Sequence, residues 1–201
     1  MRNKLKVINL FGGPGCGKST CAHGLMHIMK GIGIDVEYAP EVAKDLVFDN
    51  DMETLKNQRE IFRRQLKRIR RYEGKVEWVV TDSPIPMSCV YKNMYLHPQR
   101  KKDDKPPEML GPEFDKEVFE AYYRFSNENF FLNRTIPYRK IGRIQNRAEA
   151  DVIAEKILEF MRYSPIVFRK IDGDKQAPYT ILTEIGINWD EELIEQEDGQ
   201  Q

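Results

Sequence analysis

The sequence predicts an α/β fold: a three-layer arrangement in which a mostly parallel sheet of about five strands lies between helices. Three observations carry this. Short apolar runs alternate with amphipathic stretches along the chain, and a glycine-rich turn joins the first run to the first stretch. The residues with chemistry to offer follow apolar runs, at the carboxyl ends of strands, where open α/β sheets bind ligands.

Residues 5–11, Leu-Lys-Val-Ile-Asn-Leu-Phe, read as the first strand. Residues 19–30 read as the first helix, because Ala22, Leu25, Met26 and Met29 recur at helical spacing before Gly31 and Gly33 stop it. A short strand over 34–39 follows. A long helix over about 53–72 then places Phe62, Leu66 and Ile69 on one face and ends at Gly74. The apolar run 76–81 is short enough for a buried strand. Beyond Pro84 and Pro86 the pattern lapses, and 97–112, with four prolines among charges, reads as an irregular excursion. Helix returns over about 113–124, a strand over 129–132, and helix over 147–162, where Ala150, Ile153, Ala154, Ile157, Leu158 and Met161 share a face. A strand over 166–171 and a helix from Ala177 to Ile185, with Pro178 in its first turn, complete the series.

Length and composition narrow the function classes. The 201 residues suit one domain, taken as 1–188, with 189–201 as an acidic tail. With 40% hydrophobic and 32% charged residues the chain reads as soluble and globular. No apolar run approaches the roughly 20 residues that span a bilayer. The N-terminal residues run directly into the first strand, leaving no room for a cleavable signal, so a cytoplasmic location is expected, host cytoplasm if the chain is phage-encoded. Cys16, Cys21 and Cys89 form no C-x-x-C pair and suggest neither a disulfide framework nor a zinc cluster. Formal net charge is zero, so no polyanionic partner follows globally, although 63–71 and 99–102 are basic and 190–198 mostly acidic. Oligomeric state is not legible; a homodimer stays open.

Gly12-Gly13-Pro14-Gly15-Cys16-Gly17-Lys18-Ser19 satisfies G-x-x-x-x-G-K-[ST] between a strand and a helix. Glycines let main-chain amides curl round phosphate oxygens, and the following helix adds its positive N-terminal end. Gly13, Gly15, Cys16, Gly17, Lys18, Ser19 and Thr20 are therefore the expected nucleotide-binding set. Lys18 would reach the β- and γ-phosphates, and the Ser19 hydroxyl would ligate Mg²⁺. Cys16 reads as a variable loop position.

A phosphate loop does not say where the phosphoryl group goes. Asp82 follows the run 76–81 and would stand beside the loop as a further magnesium partner. Ser83 and Pro84 come next, where ATPases that activate water commonly carry Glu. Glu41, after the strand at 34–39, would point into the same crevice as a proton acceptor. Arg134, Arg139, Arg143 and Arg147 recur through a segment broken by Pro137 and Gly142, which suits a lid over about 133–147 that closes guanidinium groups onto phosphate.

Together these residues resemble the P-loop nucleoside and nucleotide kinases, particularly nicotinamide riboside kinase-like and phage-encoded proteins. The resemblance rests on the phosphate loop, Tyr38-Ala39-Pro40-Glu41, Gln58 and Gln65 ahead of Thr81-Asp82-Ser83-Pro84, and Phe131-Leu132-Asn133-Arg134 running on to Gly142-Arg143-Ile144-Gln145. It implies ATP and Mg²⁺ as cofactors, Glu41 as acceptor-side base, Asp82 near the metal, and Arg134, Arg139 and Arg143 in the lid. It also implies that Asp172-Gly173-Asp174-Lys175 borders the adenine. One departure is that Ser83 stands where deoxynucleoside kinases carry Arg.

The expected reaction is transfer of the ATP γ-phosphoryl group to a nucleoside- or nucleotide-like acceptor. Two alternatives remain: a phage-type kinase acting on a hydroxymethylated base in DNA, supported by the basic stretches, and an ATP-dependent switch without an acceptor. No N-K-x-D or T-K-x-D guanine motif occurs. His23 and His27 stand four apart without the Glu of a zinc helix. Gln65 has a donor and an acceptor that could read a base or amide edge, but on a basic helix it reads as a surface residue; Tyr91, Tyr95, Tyr122, Tyr123 and Phe125 could stack on an acceptor base but read as core.

Overall fold

Five strands form one parallel sheet: β1 (Lys6–Phe11), β2 (Val36–Ala39), β3 (Trp78–Thr81), β4 (Ser126–Asn133) and β5 (Arg169–Asp172), in the order β2-β3-β1-β4-β5. The computed structural model describes residues 4–92, 110–138 and 146–189. Strand β1 is central because both of its faces are apolar. Ile8 and Leu10 pack beneath α1 (Lys18–Gly31) and α8 (Ala177–Glu184). Val7 and Phe11 point the other way, towards α4 (Gln58–Arg70), α6 (Pro112–Tyr122) and α7 (Arg147–Tyr163). The result is the expected three-layer α/β/α arrangement. It puts the turn after β1, the turn after β3 and the turn after β2 along one edge of the molecule.

The helices between β2 and β3 differ from expectation. The continuous helix expected over 53–72 is two, α3 (Met52–Lys56) and α4, broken at Asn57, whose extended backbone (ψ 90°) ends one helix. The Asn57 side chain caps the next by accepting from Glu60 N at 3.0 Å. A further helix, α2 (Val42–Phe48), follows Glu41, and its Val42 and Leu46 pack on Leu55 and Ile61. A third short one, α5 (Met87–Tyr91), follows β3 and begins just after Pro86, with residues 87–90 all buried. Elements of five to seven residues hold too few turns for periodicity to register, and packing rather than propensity makes them helical.

Strand β4 is longer than the predicted 129–132 because it pairs along the whole of β1, from Lys6↔Ser126 to Phe11↔Phe131. Its first residues are polar, yet buried Asn9 donates to Asn127 Oδ1 at 2.9 Å and Asn129 Oδ1 at 3.1 Å, and the Tyr122 hydroxyl donates to Asn129 Oδ1 at 2.9 Å. Satisfied amides replace an apolar pattern there. Strand β5 starts at Arg169 rather than Ile166, which is buried in the core ahead of the strand. Most of the excursion at 97–112 and of the tail at 189–201 lies outside the described residues. Among the described residues no helix is long and apolar enough to cross a membrane.

Cys21 and Cys89 are buried, and burial pushes the Cys21 thiol up to about 12, with the neighbouring Cys16 and Asp174 adding to it. Burial and the Asp115 carboxylate raise Cys89 further still. A raised thiol carries almost no thiolate at pH 8. Both are therefore expected to resist Ellman's reagent in the native protein and to react in guanidinium chloride; rapid native labelling of either, located by mass spectrometry, would contradict this packing.

Candidate active site

Strand β1 delivers the chain to Gly12 (φ 138°), and the turn closes through Gly17 (φ 97°), backbone angles that side-chain-bearing residues rarely adopt. Space agrees with conformation: a Cβ on Gly12 would sit 2.6 Å from Cys16 Sγ and 2.8 Å from the Leu132 carbonyl oxygen. Gly17 is the N-cap of α1 and supplies no side-chain cap, so the first amides of that helix face the loop's hollow with no side chain bound to them. A nucleotide's phosphates fit this cradle. Lys18 is half-buried and arches over it, its ammonium donating to the Gly12 and Gly13 carbonyl oxygens at 2.8 and 3.0 Å. Cys16 is buried and Thr20 exposed, so a nucleotide would meet both through their amides.

At the end of β3, Asp82 is buried, and the Ser19 hydroxyl donates to its Oδ2 at 2.5 Å. Its other oxygen, Oδ1, is buried without a hydrogen-bond partner. A buried carboxylate oxygen left unpaired is costly, and a hydrated cation held by Ser19 would satisfy it. The residues thus fit Mg²⁺.

Sequence reading gave no role to Tyr38, although it stands in the quoted Tyr38-Ala39-Pro40-Glu41. Register places it opposite Val80, on the α1 side of the sheet, where its phenol meets both Asp82 and Ser19. Burial pushes that phenol well above its usual range, followed by the Asp82 carboxylate, with Glu41 adding its field. His23, one of the discounted pair, lies edge-on to the Tyr38 ring at 5.1 Å, and its Nδ1 is 2.6 Å from the Ser19 carbonyl oxygen. Parallel pairing of β2 with β3 thereby brings Glu41, Tyr38 and Asp82 to one crevice beside the phosphate loop.

Glu41 is half-buried and is the N-cap residue of α2, with no side-chain cap bond. Gln65 is not at the surface as expected: it is 2% exposed, and its Oε1 accepts from the Val42 amide at 3.1 Å. The periodicity of a basic helix hid it, because its neighbours Arg64, Lys67, Arg68 and Arg70 lie on the outer side or edge. Of that basic stretch, Arg64 pairs with Glu60, Arg70 with Glu73, and Arg68 with Asp45.

Arg134 reaches the phosphate loop: one guanidinium nitrogen donates to the Pro14 carbonyl oxygen at 3.1 Å and another pairs with Asp151 of α7 at 2.6 Å. Its Nε is buried without a partner, and Tyr138 lies 5.4 Å from the guanidinium. Arg147 opens α7 and is exposed, while Arg139 and Arg143 lie outside the described residues. Of the aromatics expected in the core, Tyr122 and Phe125 are buried, Tyr91 is half-buried, Tyr123 is exposed, and Tyr95 lies outside the described residues.

The loop after β5 sits against the back of the phosphate loop. Asp172 accepts from Asn133 Nδ2 at 3.2 Å, and the Gly173 amide donates to the Asn133 carbonyl oxygen at 2.8 Å. Asp172, Asp174 and Lys175 are exposed. A Cβ on Gly173 would lie 2.1 Å from the Cys16 carbonyl oxygen, a main-chain atom that cannot swing aside. Gly173→Ala is expected to cost about 1–3 kcal/mol by overpacking and to weaken nucleotide binding by displacing the loop. Calorimetry and titration with a fluorescent ATP analogue would show both; an unchanged melting temperature would sink the claimed contact.

A family model described as an AAA domain matches residues 7–177. No curated protein sequence matches the chain. Among solved structures, deoxyadenosine kinase from M. mycoides with bound dATP superposes with a TM-score of 0.52 at 15% identity, covering 89% of this chain and 98% of that one. That likeness places the sheet and its layers within the P-loop fold. With the family match spanning the phosphate loop, β2 to β5, all but the first residue of β1 and the start of α8, the chain belongs to the AAA domain family.

Proposed function

We propose that the chain is an ATP-dependent kinase that transfers the γ-phosphoryl group to a hydroxyl of a nucleoside-like acceptor. The observation that carries this reading is the bond from Ser19 to buried Asp82, whose other carboxylate oxygen stays open, beside the phosphate cradle. The likeness to a deoxyadenosine kinase supports the acceptor class.

In this reading the amides of the turn and of the first turn of α1 hold the phosphates, and Lys18 exchanges its loop carbonyls for β- and γ-oxygens. Ser19 and Asp82 would hold Mg²⁺, which when bound neutralises charge on those oxygens. Glu41 orients the acceptor hydroxyl and takes its proton. The bond from γ-phosphorus to the bridging oxygen breaks, ADP leaves with the electron pair, and the acceptor oxygen bonds to phosphorus. Arg134, already tied to the loop at Pro14, would steady the donor side, and Arg139 and Arg143 would complete the lid. Asp172 and Lys175 would flank the adenine.

The test is ADP release with MgATP against a panel of ribo- and deoxyribonucleosides, nucleoside monophosphates, nicotinamide riboside and an oligonucleotide carrying hydroxymethylated pyrimidines. A nucleoside-type acceptor should raise turnover at least about tenfold. Stimulation by the oligonucleotide alone would replace this acceptor with DNA, and turnover indifferent to every acceptor would replace the kinase with an ATPase or switch.

A further inference from the structure

Glu41 sits in a turn whose main-chain groups are bound by one helix. On β2 side of it, the Ala39 carbonyl oxygen accepts from Gln65 Nε2 at 3.4 Å, and the Pro40 carbonyl oxygen accepts from Arg68 at 3.0 Å. On the α2 side, the Val42 amide donates to Gln65 Oε1 at 3.1 Å. Both clamping residues belong to α4 and stand three apart, so they share a face of that helix. Arg68 is itself held by Asp45 of α2.

The same Gln65 amide also reaches the end of β3, which carries the other carboxylate. Its Nε2 lies 3.3 Å from Thr81 Oγ1. The Thr81 hydroxyl donates to the Ala39 carbonyl oxygen at 2.9 Å and accepts from the Ser83 amide at 3.2 Å. Thr81 and Ser83 flank Asp82. One buried side-chain amide therefore commits an acceptor lone pair to the Val42 amide, one N–H to the Ala39 carbonyl and the other to the Thr81 hydroxyl, and so ties the turns carrying Glu41 and Asp82.

We propose that Gln65 is a positioning residue that fixes the distance between the acceptor-side and metal-side carboxylates, and that it does not read the acceptor. This rests on the kinase reading for the roles of Glu41 and Asp82, but the linkage itself does not. Both N–H donors and one of the two acceptor lone pairs are committed, and the residue is 2% exposed, so acceptor recognition falls to other residues. Displacement of either carboxylate by a fraction of an ångström would slow the chemical step, while the glycine turn at 12–17, held by its own backbone angles and its packing on Leu132, Ala154 and Gly173, keeps its shape.

Two isosteric changes test the linkage: Gln65→Met removes the amide, and Thr81→Val removes the hydroxyl that joins Gln65 to Ser83. Hydrogen exchange followed by mass spectrometry requires no acceptor. Gln65→Met should speed exchange in peptides spanning 39–43 and 81–84 together, by about tenfold or more, with peptides spanning 12–17 unchanged. Unchanged exchange at 39–43 would overturn the proposal whatever the protein phosphorylates. With the nucleoside that stimulates the wild type, kcat should fall about 10- to 100-fold in either variant while the Kd for MgATP stays within about twofold. The double variant should be little worse than the worse single one, since both break one network. A rise in acceptor KM at constant kcat in Gln65→Met would instead make Gln65 a specificity residue and overturn the assignment. If no nucleoside stimulates the wild type, the kinase reading fails and the exchange result still decides whether the linkage exists.

Discussion

Lys18→Ala is expected to lower turnover by about 10²–10³-fold, the range for removing one preorganised group that stabilises developing transition-state charge, while the protein still melts cooperatively. The fold should survive because the loop's course is fixed elsewhere: by the left-handed backbone at Gly12 and Gly17, by the contact of Gly13 with Ala154, and by the packing of Gly173 on Cys16. What the substitution removes is the ammonium that now lies between the Gly12 and Gly13 carbonyl oxygens. Those carbonyls are negative ends of dipoles and repel a phosphate unless a cation is interposed. The measurement is turnover alongside melting with and without MgATP. Saturation at about 100 times Kd stabilises a protein by about 2.7 kcal/mol, and that increment should largely vanish in the variant. Turnover within twofold of wild type would remove the assignment of the loop.

The sheet was legible because parallel strands buried on both faces must be apolar and must be separated by helices, and these two constraints leave their mark on composition as well as order. Strands β1 and β3 are of this kind, and their predicted positions agree with the structure to within two residues. The misreadings share a cause, which is that burial was achieved by something other than an apolar pattern. Strand β4 begins with Ser126, Asn127 and Glu128 because the asparagines satisfy one another across β1. Helices α2, α3 and α5 are short enough that a few buried residues each suffice.

Within the site, the phosphate loop was legible because its chemistry is main-chain chemistry, and a glycine pattern records main-chain demands directly. Asp82 and Glu41 were placed from their position after apolar runs alone, and the parallel pairing of β2 with β3 is what brings them together. Tyr38 and Gln65 were not legible as site residues. A tyrosine in a strand reads as core, and a glutamine among arginines reads as surface; only register and helix phase show that each faces a carboxylate-bearing turn. A sequence signal was nevertheless present at Gln65, which falls in phase with Phe62 and Ile69 on the apolar face of α4.

Glu41→Gln separates the two halves of the proposed chemistry. Loss of a general base typically costs about 10²–10⁴-fold in the chemical step, and kcat should fall by that order while the Kd for MgATP changes by less than about twofold. The reason is positional. Glu41 belongs to the turn clamped by α4, whereas the phosphates would be held by the turn after β1 and the first turn of α1, so the side chain can lose its charge without altering the cradle. Glutamine preserves shape and can still accept a hydrogen bond from the acceptor hydroxyl, but it cannot take the proton. Rapid-quench measurement of phosphoryl transfer, paired with nucleotide titration, is the decisive experiment. An equal fall in transfer rate and nucleotide affinity would mean that Glu41 shapes the nucleotide site, and the acceptor-side base would have to be sought elsewhere in the crevice.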